Sequence, residues 1–85
     1  MTTQIAVIGS GLMGAGIAQV FAANGYTVRV YDSSEASLQS LTTKVRNGLQ
    51  NLGLDDGLAV NVKPCTELSE AVAQADVVFE AGPEK

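Results

Sequence analysis

Three glycines and one acid carry the chemistry that this sequence announces. Gly9-Ser10-Gly11-Leu12-Met13-Gly14 spells G-x-G-x-x-G, and Asp32 follows 18 residues beyond the last glycine. Each glycine has its own physical task. Gly9 turns the chain sharply as it leaves a strand, Gly11 lets a pyrophosphate approach the main chain, and Gly14 lets a helix pack tightly on the strand. The amides of Gly11, Leu12 and Met13 then open a helix, where unpaired N–H groups and the helix dipole favour an anion. An acid about 20 residues further on suits the hydroxyls of a ribose. The competing reading is a plain strand-to-helix turn, with Asp32 part of a helix cap. Strand, spacing, helix and acid together favour a dinucleotide site.

A carboxylate at position 32 repels a ribose 2′-phosphate, and Ser33 and Ser34 provide no arginine to receive one. The expected cofactor is therefore NAD rather than NADP. FAD uses the same fingerprint and stays open as an alternative at this point. Binding sites for S-adenosylmethionine usually show a different glycine spacing.

The elements that position these residues follow from hydropathy patterning. Ile5 to Ile8 is a short apolar run of the kind buried on both faces of a parallel sheet. Ile17, Ala18, Val20 and Phe21 then recur at helical spacing, and Asn24-Gly25 suits a left-handed helix end. Thr27 to Tyr31 reads as a second strand, rich in β-branched residues. Ser33 or Ser34 caps a long second helix whose apolar face is Leu38, Leu41, Val45, Leu49 and Leu52, with Gly53 ending it. Asp55-Asp56-Gly57 is a turn, Leu58 to Val62 is expected as a third strand, and Pro64 stops it. Glu67 to Gln74 is expected as a short helix capped by Thr66, and Val77-Val78-Phe79 as a fourth strand.

The order β-α-β-α-β-α-β, with connections too long for hairpins, specifies right-handed crossovers and a parallel sheet. The fold class is therefore α/β, a Rossmann-like doubly wound sheet of strand order 3-2-1-4. The sequence ends soon after the fourth strand, with no helix to cover it. We therefore expect residues 1–85 to be a partial NAD-binding domain of something longer, truncated after that strand.

Composition narrows the partners. Five basic residues against nine acidic ones give a net charge of −4, so no basic patch serves a nucleic acid backbone. Cys65 is the single cysteine, which rules out an internal disulfide and a thiolate metal cluster. It reads as a small buried apolar residue near a strand end. The sequence contains no histidine, so the commonest general base and metal ligand is missing. We expect no catalytic residue and no metal site in these residues. No apolar run approaches the roughly 20 residues needed to span a bilayer, and no targeting leader is recognisable, so a cytoplasmic protein is expected.

A second candidate region is the loop leaving the fourth strand. In a 3-2-1-4 sheet the crevice opens between the first and fourth strands, so this loop must pass the nicotinamide half of the cofactor. Here it runs Glu80-Ala81-Gly82-Pro83-Glu84. Its two acids could meet a ribose hydroxyl or the substrate side, and the alternative is a solvated loop with incidental charge. Asp76, just before the strand, reads as a turn residue.

The stretch from Ile5 to Asp32, above all Gly11-Leu12-Met13-Gly14-Ala15-Gly16-Ile17-Ala18-Gln19, resembles the start of L-3-hydroxyacyl-CoA dehydrogenases. Ala75 to Glu84 resembles that family's second landmark, so the resemblance covers the whole chain, most closely at its two ends. It implies an NAD-dependent enzyme oxidising a 3-hydroxyacyl-CoA to the 3-oxoacyl-CoA, in fatty-acid β-oxidation or butyrate-type metabolism. It also implies that the glycine loop with Met13 lines the cofactor, that Asp32 holds the adenosine ribose, and that Ala81, Gly82, Pro83 and Glu84 approach the nicotinamide ribose. Glu80 is then structural. The family's catalytic His–Glu pair and its helical dimerisation domain would lie beyond these residues, making the intact protein a homodimer that alone receives acyl-CoA. Two departures bear on substrate. The connection after the second helix is shorter than the family's usual helical excursion, and Gly82-Pro83 replaces the more usual apolar pair, as in relatives acting on carnitine or gulonate.

Overall fold

A computed structural model of the chain describes residues 3–81. The elements run β1 (Gln4–Ile8), α1 (Leu12–Ala23), β2 (Thr27–Tyr31), α2 (Glu35–Asn51), a 3₁₀ helix (Asp56–Asn61), β3 (Val62–Cys65), α3 (Leu68–Val72) and β4 (Val77–Glu80). The four strands form one parallel sheet in the order β3-β2-β1-β4, as the sequence pattern specifies.

Alternation along the central strands builds the core. Ile5 and Val7 of β1 stand beside Val28 and Val30 of β2 in register. All four are buried against Ala15, Ala18 and Ala22 of α1 and Leu41, Val45 and Leu49 of α2. Alanines on α1 let that helix lie close to the sheet, while the leucines and valine of α2 fill the wider gap. Phe79 of β4 closes one flank, 5.4 Å from Phe21, which in turn meets the edge of Tyr26 at 5.5 Å. Ala6, Cys65 and Ala71 are buried outside this cluster and belong to the other face, where α3 crosses the sheet.

The helix ends are chemically specified. Ser34 caps α2 by accepting the Ser37 amide at 3.3 Å. At the end of α1, Tyr26 N–H reaches back to the Phe21 carbonyl and Gly25 N–H to the Ala22 carbonyl, at 3.0 and 3.1 Å. This pair of bonds is the Schellman motif, with Gly25 in the left-handed region. The same bonds, Leu54 to Leu49 and Gly53 to Gln50, close α2. Leu52 therefore sits on the turn, 64% exposed, and the apolar face of α2 ends at Leu49 instead.

The third strand differs from the sequence reading, which placed it at Leu58 to Val62. The Asp55 carboxylate accepts the Gly57 amide at 2.8 Å and starts the 3₁₀ helix, which takes up Leu58 to Asn61. Asn61 fastens that helix to the end of α1 by donating to the Ala22 carbonyl at 3.1 Å. Pairing begins only at Val62, which stands beside Val28. Pro64 lies inside the strand rather than stopping it. β3 is an edge strand, where a missing N–H can face away from the ladder.

The third helix is also shorter than expected. It spans Leu68–Val72, its N-cap is Glu67 rather than Thr66, and no side chain bonds the cap. The chain then turns at Asp76, whose carboxylate accepts the Gln4 amide at 2.7 Å while its own amide donates to the Gln4 carbonyl at 2.8 Å. This reciprocal pair sets the register of β1 against β4 and accounts for the acid without any chemistry.

Candidate dinucleotide-binding site

The glycine loop joins β1 to α1 at the carboxyl end of the sheet. Gly9 has φ +107°, a conformation that a side chain disfavours, and its amide donates to the Tyr31 carbonyl at 2.7 Å. Gly14 packs on that turn. A methyl group at Gly14 would overlap the Gly9 carbonyl oxygen, lie 2.8 Å from its carbon and touch Val7 at 3.5 Å. A methyl group at Gly11 would meet no atom within 4 Å. The space in front of Gly11 is therefore open to a ligand.

The start of α1 is suited to an anion. The first helical bond runs from Ala15 N–H to the Gly11 carbonyl at 2.8 Å, so the amides of Leu12, Met13 and Gly14 precede the intrahelical ladder. Gly11 is the N-cap, no side chain bonds there and the first turn contains no acid. The second helix is the contrast, with its Ser34 cap and Glu35 in the first turn. Leu12 and Met13 stand in solvent at the lip of the loop, 89 and 67% exposed.

Asp32 follows β2 immediately and is tied to the loop. Its Oδ2 accepts from the Ser10 amide at 2.8 Å and from the Ser10 hydroxyl at 3.0 Å. Its Oδ1 accepts from the Ser34 amide at 2.7 Å. Desolvation pulls the carboxyl pKa upward, but the Ser34 and Ser10 amides, the Ser10 hydroxyl and the Lys44 charge outweigh it. The net position is below the ordinary aspartate value, so Asp32 is an anion at neutral pH.

A hollow of about 170 Å³ opens beside the carboxylate, lined by Tyr31, Asp32, Ser33, Glu35, Leu38 and Thr66. Two larger hollows of about 460 Å³ include neither the glycine loop nor Asp32. Volume alone does not locate the site. The glycine loop and Asp32 place free amides and an acceptor on neighbouring strand ends, which is the arrangement a dinucleotide requires.

The structure brings Gly9, Gly11, Leu12, Met13, Gly14 and Asp32 to one end of the sheet. Ala81 lies on the other side of the loop. Its amide donates to the Ile8 carbonyl at 2.8 Å, so Asp32 and Ala81 flank the exit from β1 through its two neighbours β2 and β4. Gly82, Pro83 and Glu84 lie outside the described residues. Glu80 is the last residue of β4 and exposed. Cys65 ends β3, buried; burial and the nearby Glu70 carboxylate push its thiol pKa up, against the pull of Arg29.

Sequence reasoning missed Ser10 and the Ser34 amide as partners of Asp32, and Thr66 as a wall of the adjoining hollow. Ser10 occupies a variable position of the motif, and nothing in spacing says where its hydroxyl points.

An alternating parallel sheet with a glycine loop at the first crossover, an uncapped helix start and an acid on the neighbouring strand end defines a dinucleotide-binding domain. Comparison with known proteins is more specific. Residues 4–85 match the family described as 3-hydroxyacyl-CoA dehydrogenase, NAD binding domain. The 3-hydroxyadipyl-CoA dehydrogenase of Escherichia coli is 37% identical over 89 residues, covering 95% of this chain and 18% of that protein. The L-carnitine dehydrogenase of Nocardiopsis dassonvillei is 34% identical over 85 residues, covering 95% of this chain and 26% of that protein. The crystal structure of 3-hydroxybutyryl-CoA dehydrogenase from Escherichia coli superposes with a TM-score of 0.82 at 35% identity, covering all of this chain and 20% of that one.

The chain belongs to the NAD-binding domain family of the 3-hydroxyacyl-CoA dehydrogenases, and its cofactor is NAD. It spans about a third or less of the length of these relatives. Among the described residues, no helix is long and apolar enough to cross a membrane.

Proposed function

We propose that this chain is the cofactor-holding part of an enzyme that oxidises an L-3-hydroxyacyl-CoA to the 3-oxoacyl-CoA. The support is its similarity to dehydrogenases named for 3-hydroxyadipyl-CoA and 3-hydroxybutyryl-CoA. NAD supplies the hydride acceptor. The residues of this chain bind and orient it. Amides at the start of α1 receive the pyrophosphate in the open space before Gly11, and Asp32 accepts the adenosine ribose hydroxyls. Leu12 and Met13 form an apolar lip, and Ala81, Gly82, Pro83 and Glu84 approach the nicotinamide ribose.

A base must remove the proton of the substrate hydroxyl as the hydride departs. With no histidine in this sequence, an imidazole base has to come from other residues of the intact protein. On this reading residues 1–85 are not catalytic alone, acyl-CoA binds only the intact protein, and that protein is a cytoplasmic homodimer.

A second reading is a dehydrogenase of a small 3-hydroxy acid. L-carnitine dehydrogenases match at 34–36% identity, level with the acyl-CoA enzymes. A non-catalytic NAD-binding module is the third. Turnover of the intact protein with NAD on L-3-hydroxybutyryl-CoA and on L-carnitine separates them. Activity on the thioester alone is expected. Activity on carnitine alone establishes the second reading, and NADH binding without turnover of either substrate establishes the third.

A further inference from the structure

Asp32 has about four acceptor positions on its two carboxylate oxygens. Three are filled: the Ser34 amide takes one on Oδ1, and the Ser10 amide and hydroxyl take both on Oδ2. A vicinal diol that engages both oxygens donates one hydroxyl to each. Oδ1 has a position to give, and Oδ2 has none. Of the two donors on Oδ2, the amide is fixed by the turn between Gly9 and Gly11, whereas the hydroxyl hangs on a single rotatable bond.

We propose that the Ser10 hydroxyl is a gate on the ribose seat, holding Asp32 Oδ2 and leaving it when a diol takes both oxygens. This inference rests on the reading of Asp32 as the ribose acceptor. Ser10 is a positioning residue and touches no reacting atom. The gate has a cost as well as a use. Ser10 is fully buried, so its released hydroxyl loses a charge-assisted bond in a place with little water. Only a ligand that returns two bonds to the carboxylate offsets that loss. A ribose lacking its hydroxyls has no reason to open the gate.

Calorimetric titration of the intact protein tests this with NAD and with an NAD analogue whose adenosine ribose lacks both hydroxyls. In the Ser10→Ala variant, NAD is expected to bind about ten- to hundredfold tighter than to the unmodified protein, the worth of one hydrogen bond to a charged group. The analogue is expected to bind both proteins alike. Ser10→Gly also removes the hydroxyl and keeps the amide, and serves as the second variant should the first fail to fold. Weaker or unchanged NAD binding in the variant, with the unmodified protein still preferring NAD over the analogue, overturns the gate and leaves Asp32 as the acceptor. Equal binding of NAD and the analogue by the unmodified protein overturns the reading of Asp32, and the gate with it.

Discussion

Gly14 lies against the carbonyl of Gly9, so the second structural glycine of the loop is held by the first. The turn at Gly9 aims its carbonyl at a helical position that has no side chain to collide with it. Gly11, two residues along the same loop, faces open space. The two glycines should therefore fail differently. Gly14→Ala is expected to destabilise the protein by about 1–3 kcal/mol or more, because the overlap is with backbone that cannot swing aside. Gly11→Ala is expected to leave the unfolding free energy within about 0.5 kcal/mol of the unmodified protein and to weaken NADH binding. Denaturation and fluorescence titration of the two variants check the contrast. Equal loss of stability in both would show that Gly11 is structural.

On the proposed reading, Asp32 selects the cofactor by charge and by acceptor geometry. Replacing it with alanine removes the acceptor for the ribose and the repulsion of a 2′-phosphate together. Asp32→Ala is expected to weaken NAD binding about ten- to hundredfold, the worth of a hydrogen bond to a charged group. The preference for NAD over NADP is expected to shrink with it. Titrating both cofactors against the variant checks this, and an unchanged preference would remove Asp32 from the discrimination.

The same acid contributes to stability in a defined pH window. Its folded pKa lies below that of the unfolded chain, which is about 3.9. The ionised form is thus favoured in the folded state, and that contribution is complete above about pH 5. It drains away as pH falls through the folded value. Asp32→Asn should therefore be less stable than the unmodified protein at pH 7, and the gap should close in acid. Urea unfolding of both proteins from pH 7 to pH 3 measures it. A gap that stays constant over that range would mean that the charge of Asp32 contributes nothing to folding.

The sequence was legible where one residue type answers one local demand. Gly9, Gly25 and Ser34 each sit where turn or cap geometry requires them, and strands β1 and β2 follow from continuous β-branched and apolar runs. Legibility failed where a choice depends on tertiary partners. Leu58 to Val62 has the composition of a strand, yet a side-chain bond at Asp55 and the anchor from Asn61 to α1 decide otherwise. Ser10 could not be assigned from spacing, because its role exists only through an acid 22 residues away.

The displaced third strand gives a direct test of that tertiary decision. Had Leu58 to Val62 been a strand, Val60 and Val62 would point to the same face and share one environment. In the structure Val60 is 70% exposed on the 3₁₀ helix, while Val62 is 4% exposed and packs in the core beside Val28. A lysine at the first position costs almost nothing if that placement holds, since its charge stays in water. A lysine at the second buries an ammonium among valines and leucines with no partner. Val60→Lys is expected to shift stability by less than about 0.5 kcal/mol, and Val62→Lys to destabilise by about 3 kcal/mol or more. Thermal denaturation followed by circular dichroism compares them. Comparable losses in both variants would return Val60 to the sheet, whereas a tolerated Val60→Lys places the start of β3 at Val62.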